Sequence, residues 1–187
     1  MNKTKMSNHS ISLVPKKSRY PNRDLIIKNI LEWLISYNII EAEISDCILG
    51  KTGGYRGAQG LKNIVQHSED LTTLLKYKTF GLEIVKDKNV FDTGENGLES
   101  MTCPNCNKKY DVEVYNFITI WWDTQETDIV CTACDKIYDI NEYLFRPQWA
   151  FSNLGFKFWN FPQFTSQFIE EFQLRLQCDV VIVYQHL

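Results

Sequence analysis

One pattern in this chain is written twice. Residues 103–112 read CPNCNKKYDV and residues 131–140 read CTACDKIYDI, so each C-x2-C pair is followed by Asn or Asp, Lys, a variable residue, Tyr, Asp and a β-branched residue. Cys103, Cys106, Cys131 and Cys134 thus supply two pairs of thiols with 24 residues between them. Two intervening residues let both sulfurs of a turn face one ion while backbone amides point at them. Four sulfurs complete the tetrahedron that Zn²⁺ prefers and leave no open coordination position for chemistry. The expectation is a structural zinc ion held by these four residues. Two disulfides or four free thiols are the alternatives, and disulfides are disfavoured in a chain without a secretion signal.

Small or turn-forming residues fill the gaps, Pro104 and Asn105 in the first turn, Thr132 and Ala133 in the second. Tyr110 and Tyr138 fall at matching positions, so each is expected to shield one side of the metal from water across a pseudo-twofold axis. Over about residues 101–144 this closely resembles a rubredoxin-type zinc ribbon. Between the cysteine pairs runs DVEVYNFITIWWDTQETDIV. Val112, Val114, Phe117, Ile118, Ile120 and Trp122 are interleaved with polar residues, which predicts one or two strands. The polar turn at 123–128 would then complete a β-hairpin that returns the second cysteine pair to the first. On a strand, the adjacent Trp121 and Trp122 point to opposite faces. One packs inward, and the other needs the rest of this chain or a partner.

The remaining sequence reads as a mixed layer. Ile11–Val14 predicts a short strand. Leu25, Ile26, Ile30, Trp33, Leu34 and Tyr37 recur at helical spacing over about 22–37, with Asn22 as N-cap, and 42–49 follows as a strand. Near the C-terminus, Gly155–Trp159 predicts a strand and Thr165 caps a helix to about Gln177, with Phe168, Ile169, Phe172 and Leu176 inward. Val180–Tyr184 closes as a short buried strand. Two β-α-β segments predict an α+β fold with a ferredoxin-like layer. The ribbon (101–144) would be inserted between an N-terminal half (1–100) and a C-terminal half (145–187).

Composition and charge narrow the function classes. The 187 residues are 44% hydrophobic and 13% aromatic, enough for one compact domain beside a small metal module. No apolar run reaches membrane-spanning length, the N-terminus lacks the apolar core of a signal peptide, and Cys47 and Cys178 have no evident partner. These features predict a cytoplasmic protein with no membrane contact. Charge is uneven. Residues 1–40 carry seven basic against two acidic side chains, whereas residues 101–144 carry three against eight, a balance of −5. Zn²⁺ with four thiolates makes the ribbon more negative still, so the ribbon is not expected to grip phosphate.

Two further stretches draw attention. GKTGGYRGAQG (50–60) holds five glycines and ends like a phosphate-binding motif, but Ser45 stands where its first glycine should be. A mobile, sharply turning loop is the simpler expectation, with an anion site on Lys51 and Arg56 left open. Residues 147–164 contain Trp149, Phe151, Phe156, Phe158, Trp159, Phe161 and Phe164 with Lys157 as the only cation, and read as core. The histidines, His9, His67 and His186, are scattered, and no catalytic motif is present. The sequence therefore predicts a non-catalytic protein-interaction module, with Trp121, Trp122, Lys51 and Arg56 as candidate partner contacts. In size, charge and missing catalytic residues it is similar to small acidic immunity proteins that neutralise a bacterial toxin. The alternative is a nucleic-acid-binding protein using Lys16, Lys17, Arg19, Arg23 and Lys28 with the glycine loop.

Overall fold

In the computed structural model, which describes residues 8–50, 53–67, 71–94, 97–111, 114–124 and 126–187, helices and antiparallel strands are mixed along the chain. The first half contains β1 (His9–Pro15), α1 (Arg23–Ser36), β2 (Ile40–Ser45), β3 (Gly54–Gly57), α2 (Leu71–Leu74), β4 (Gly81–Val85) and β5 (Asn89–Phe91). The stretch with the two cysteine pairs, called the ribbon segment below, follows with β6 (Ser100–Thr102), β7 (Lys109–Tyr110), α3 (Val114–Asp123), β8 (Asp128–Val130), β9 (Ile137–Asp139) and β10 (Leu144–Arg146). β11 (Ala150–Ser152), β12 (Gly155–Trp159), α4 (Ser166–Leu176) and β13 (Val180–His186) complete the chain.

Six strands form one antiparallel sheet in the order β13-β1-β12-β4-β3-β2. β1 pairs along its length with β13, from His9–His186 to Pro15–Val180, and with β12 from Ser10–Trp159 to Leu13–Phe156. Both expected β-α-β segments exist, but the strands of each are not neighbours. β1 separates β12 from β13, and β12, β4 and β3 separate β1 from β2.

Strand alternation sends Ile11, Leu13, Phe156, Phe158 and Leu82 to one face, where both long helices cover them. In α1 the buried Ile27, Ile30 and Leu34 follow helical spacing, and in α4 Phe168, Phe172 and Leu176 do the same. Trp33 joins the helices by stacking on Phe168 at 5.5 Å between ring centroids, with the Arg175 guanidinium 4.4 Å over its ring. Thr165 caps α4 as expected, its hydroxyl accepting from the Phe168 amide at 3.3 Å. Asn22 holds the N-cap position of α1 but does not cap it. Its backbone is left-handed, φ 50°, and its side chain makes no capping bond, because a cap requires extended backbone to aim its oxygen at the first turn.

Three further expectations change. β2 stops at Ser45, and Cys47 and Ile48 turn back to pack against Trp159 on the sheet's other face. β13 is an edge strand with only Val183 fully buried, although its run of valines and isoleucine reads as a buried strand. Gly54–Gly57, expected in a mobile loop, is strand β3 between β2 and β4. The glycine at 57 leaves room for the Phe80 ring against the strand, and a β-carbon at Gly60 would strike the Tyr37 and Asn38 carbonyls. Close approach, not mobility, explains these glycines.

The face opposite the helices is polar at its centre. Lys157 lies 4.3 Å over the Trp159 ring and donates to Gln185, which donates to Asp92, while the Trp159 indole donates to Glu83 at 2.7 Å. Burial pushes the Lys157 ammonium below its ordinary range, with Glu83 and Asp92 pulling it back up. The other aromatics of the 147–164 stretch are buried, except for half-exposed Trp149.

Candidate metal centre

The two repeated segments fold into the same turn. Each cysteine pair sits in the turn of its own β-hairpin, β6–β7 for Cys103 and Cys106, β8–β9 for Cys131 and Cys134. In the first, the Cys103 amide donates to the Lys108 carbonyl at 2.9 Å and the Asn107 amide donates to the Cys103 carbonyl at 3.2 Å. In the second, Cys131 and Lys136, and Asp135 and Cys131, repeat both bonds at 2.9 and 2.8 Å. Asn107 and Asp135 take the left-handed conformation, φ 59° and 58°, which these short polar side chains tolerate better than most. This is why Asn and Asp occupy the same place in both repeats.

The turns bring four sulfurs together, all within 4.8 Å of one another. Cys103 Sγ lies 4.0 Å from Cys134 Sγ, and Cys106 Sγ lies 3.6 Å from Cys131 Sγ. A tetrahedral zinc ion with Zn–S of about 2.3 Å separates its sulfurs by about 3.8 Å, so these two separations are compatible with such an ion. Cys103 and Cys131 are buried, Cys134 is half-buried and Cys106 is exposed, which puts the site at the edge of the ribbon core.

The two tyrosines differ. Tyr110 is buried and reaches across to the other turn. Its hydroxyl donates to Cys131 Sγ at 3.1 Å and accepts the Thr132 amide at 3.0 Å, and its ring meets Phe117 edge-on. The Tyr110 hydroxyl is the strongest of the influences that hold the Cys131 thiol down to about 6. Tyr138 instead packs edge-on against Tyr143, whose hydroxyl donates to the Ile129 carbonyl. The turns therefore repeat each other closely, whereas the two rings, both near the sulfurs, make different contacts. At Cys106 the Lys108 amide pulls the thiol down, but desolvation and the hydrogen bonds to Cys131, Cys134 and Cys103 push it up to about 12.

The segment between the cysteine pairs is a helix, not the expected strands. α3 presents Phe117, Ile118 and Trp121 inward at i, i+1 and i+4, and this spacing outweighs the strand preference of its β-branched and aromatic residues. Trp121 is 1% exposed, edge-on to Phe151 at 5.3 Å, and its indole N–H has no acceptor among the described residues. Trp122 is 52% exposed. A missed residue, Lys88, closes the helix: its ammonium donates to the carbonyls of Trp121, Trp122 (3.4 Å) and Thr124 (2.5 Å), and lies 4.5 Å over the Trp121 ring. A cation suits the negative end of a helix. Nothing in the sequence near residue 88 announces a partner more than 30 residues away.

The ribbon core comprises Met101, Tyr110, Trp121, Ile129, Ile140, Tyr143 and Phe145 and extends to Phe151. β10 adds to the ribbon sheet beside β6. Asn141 ties the ribbon to β11, its carboxamide donating to the Phe151 carbonyl (2.5 Å) and accepting the Phe151 amide (2.9 Å). Asp139 accepts from the Ser18 amide (3.2 Å) and hydroxyl (2.5 Å) beyond the end of β1.

Of the other candidate contacts, Arg56 donates to the Tyr77 and Lys78 carbonyls, 2.7 and 3.3 Å, and so braces a neighbouring turn. Lys51 lies outside the described residues. His9 and His186, distant in sequence, are strand partners with ring centroids 6.3 Å apart, and His9 is engaged by the Phe161 carbonyl. Among the described residues no helix is long and apolar enough to cross a membrane. Comparison of the chain with protein-family models, with curated proteins and with solved structures returned no match.

Proposed function

We propose that this chain is a non-catalytic, zinc-stabilised protein-interaction module whose acidic ribbon receives a basic partner protein. The observation that carries this reading is the sulfur tetrad. Four thiolates would close the coordination sphere of the ion, so the metal would hold the ribbon's shape and have no open position for chemistry. Cys103, Cys106, Cys131 and Cys134 would hold it, with the Tyr110 hydroxyl steadying one thiolate. The same ribbon leaves Trp122, Ile120, Val130, Ile137 and Leu144 exposed among a surplus of acids, as an interface with apolar anchors requires. Six free cysteines suit a reducing compartment such as the cytoplasm.

The character of the chain supports an immunity-type role, in which an acidic protein covers the basic surface of a toxin. That analogy rests on size and charge. We read the sheet as a ferredoxin-like core, β13-β1-β12-β4, to which the β2–β3 hairpin adds an edge and into which the ribbon is inserted.

The test is capture of partners by the tagged full chain from lysate, with nuclease treatment of half the sample. A stoichiometric protein that survives nuclease supports the reading. Partners lost with the nucleic acid would transfer the function to the basic Lys16, Lys17, Arg19, Arg23 and Lys28 segment.

A further inference from the structure

The ribbon carries a groove between α3 and β8. Its apolar wall is Phe117 and Ile120 on the helix and Ile129 and Val130 on the strand, with Trp121 between them. Its volume is about 260 Å³. An apolar cavity of about 150 Å³ takes a benzene ring, so this groove has room for one large aliphatic or aromatic side chain. Ile120 and Val130 remain 48% and 49% exposed. Trp121, itself 1% exposed, forms part of the groove's lining. The mouth is acidic: Glu126 and Asp128 line it, no basic residue does among the described residues, and Lys88 beside Trp121 is occupied by the carbonyls at the end of α3.

We infer that this groove binds a short basic segment of a partner protein, seating one apolar side chain between α3 and β8 while flanking lysines or arginines meet Glu126 and Asp128. The inference rests on the interaction reading above and names the surface and the chemistry of its ligand. Charge complementarity selects the occupant. An acidic peptide or a nucleic acid would meet Glu126, Asp128 and the ribbon's surplus of acids as like charge. A neutral apolar segment would leave both carboxylates without a counter-ion. Trp122 does not line the groove.

The zinc-loaded full chain is panned against a phage-displayed library of random peptides, and the most enriched peptide is synthesised with a fluorescent label for anisotropy. The expected peptide carries a Leu, Ile, Phe or Trp flanked by Lys or Arg. Replacing that anchor with Ala, or the chain's exposed Ile120 with Asp, weakens binding by about tenfold or more, because buried anchors dominate such contacts. Glu126→Lys with Asp128→Lys weakens it to a similar degree, and added salt weakens the wild-type complex. Leu174→Ala, an exposed position on α4 that does not line the groove, binds as the wild type does. Since Ile120→Asp changes an exposed side chain, zinc content and circular dichroism verify its fold. The inference is overturned if no peptide enriches, if enriched peptides are acidic or uncharged, or if Ile120→Asp binds normally. It is also overturned, with the interaction reading left standing, if Ile120→Asp still captures the lysate partner that the wild type captures. A wild-type chain that captures no protein defeats the interaction reading, and panning still decides the groove.

Discussion

Trp121 offers a prediction whose sign depends on one atom. The residue is buried, packs on Phe151 and carries Lys88 over its ring, yet its indole nitrogen has no partner among the described residues. Trp121→Ala removes the whole ring. Such changes cost about 3–5 kcal/mol, and the lost cation–π contact adds about 0.5–1 kcal/mol, for a total of about 3.5–6 kcal/mol. Trp121→Phe removes three heavy atoms, at about 0.8 kcal/mol each, or about 2 kcal/mol. It also removes a buried donor without an acceptor, which returns about 1–3 kcal/mol. The net effect of the phenylalanine variant therefore lies between about −1 and +1 kcal/mol. Urea titration of the zinc-loaded chain followed by circular dichroism separates the two. With a slope of about 2 kcal/mol per molar, Trp121→Ala lowers the midpoint by about 2–3 M and Trp121→Phe moves it by less than about 0.5 M in either direction. Equal losses would mean that the indole N–H makes a bond the structure does not contain. A negligible loss for alanine would mean that α3 is not docked through this ring.

Other expectations follow from the metal centre and the sheet. Tyr110→Phe loosens zinc about tenfold in competition with a chromogenic chelator, the usual scale for losing a group that steadies a ligand, while Tyr138→Phe leaves affinity unchanged. Cys131, held from an ordinary 9.0 to about 6, is already a thiolate at pH 7.5. Zinc uptake there releases at most three protons from the tetrad, rising to four at pH 5, and affinity falls with pH because protons and zinc compete for the same sulfurs. For folding of the metal-free chain the sign follows from the depressed pKa: the Cys131 stabilisation is fully present above 9 and is lost as pH falls through 6. Calorimetry in buffers of different ionisation enthalpy counts the protons, and four released at pH 7.5 would refute the assignment. Thr165→Ala removes the α4 cap and costs about 1 kcal/mol, a fall of roughly 2–4 °C in Tm, whereas Thr165→Ser retains stability.

Legibility in the sequence tracked how local the determining interaction was. The tetrad was readable because C-x2-C spacing and the Asn107 and Asp135 turn residues act within six positions. β12 and α4 were readable for the same reason: strict alternation over Gly155–Trp159, then Thr165 ahead of Phe168, Phe172 and Leu176 at helical spacing. α3 was not readable as a helix from preference alone, since VYNFITIWW is rich in strand-favouring residues. Its helix depends on Phe117, Ile118 and Trp121 finding the ribbon core and on Lys88 reaching the last turn from another element. Strand order was equally hidden. The placement of β1 between β12 and β13, which makes partners of His9 and His186, follows from pairings across most of the chain. Glycines 54, 57 and 60 suggested a loop, because sequence does not reveal which atoms approach a missing side chain.

The central claim is that a metal ion builds the ribbon on which a protein partner docks. Native mass spectrometry of the partner complex captured from lysate tests this most directly, with the complex measured before and after zinc is chelated. The expected result is one zinc ion per chain in the intact complex and dissociation of the partner when the metal leaves. A complex that carries no metal, or one that persists unchanged after chelation, would contradict the account.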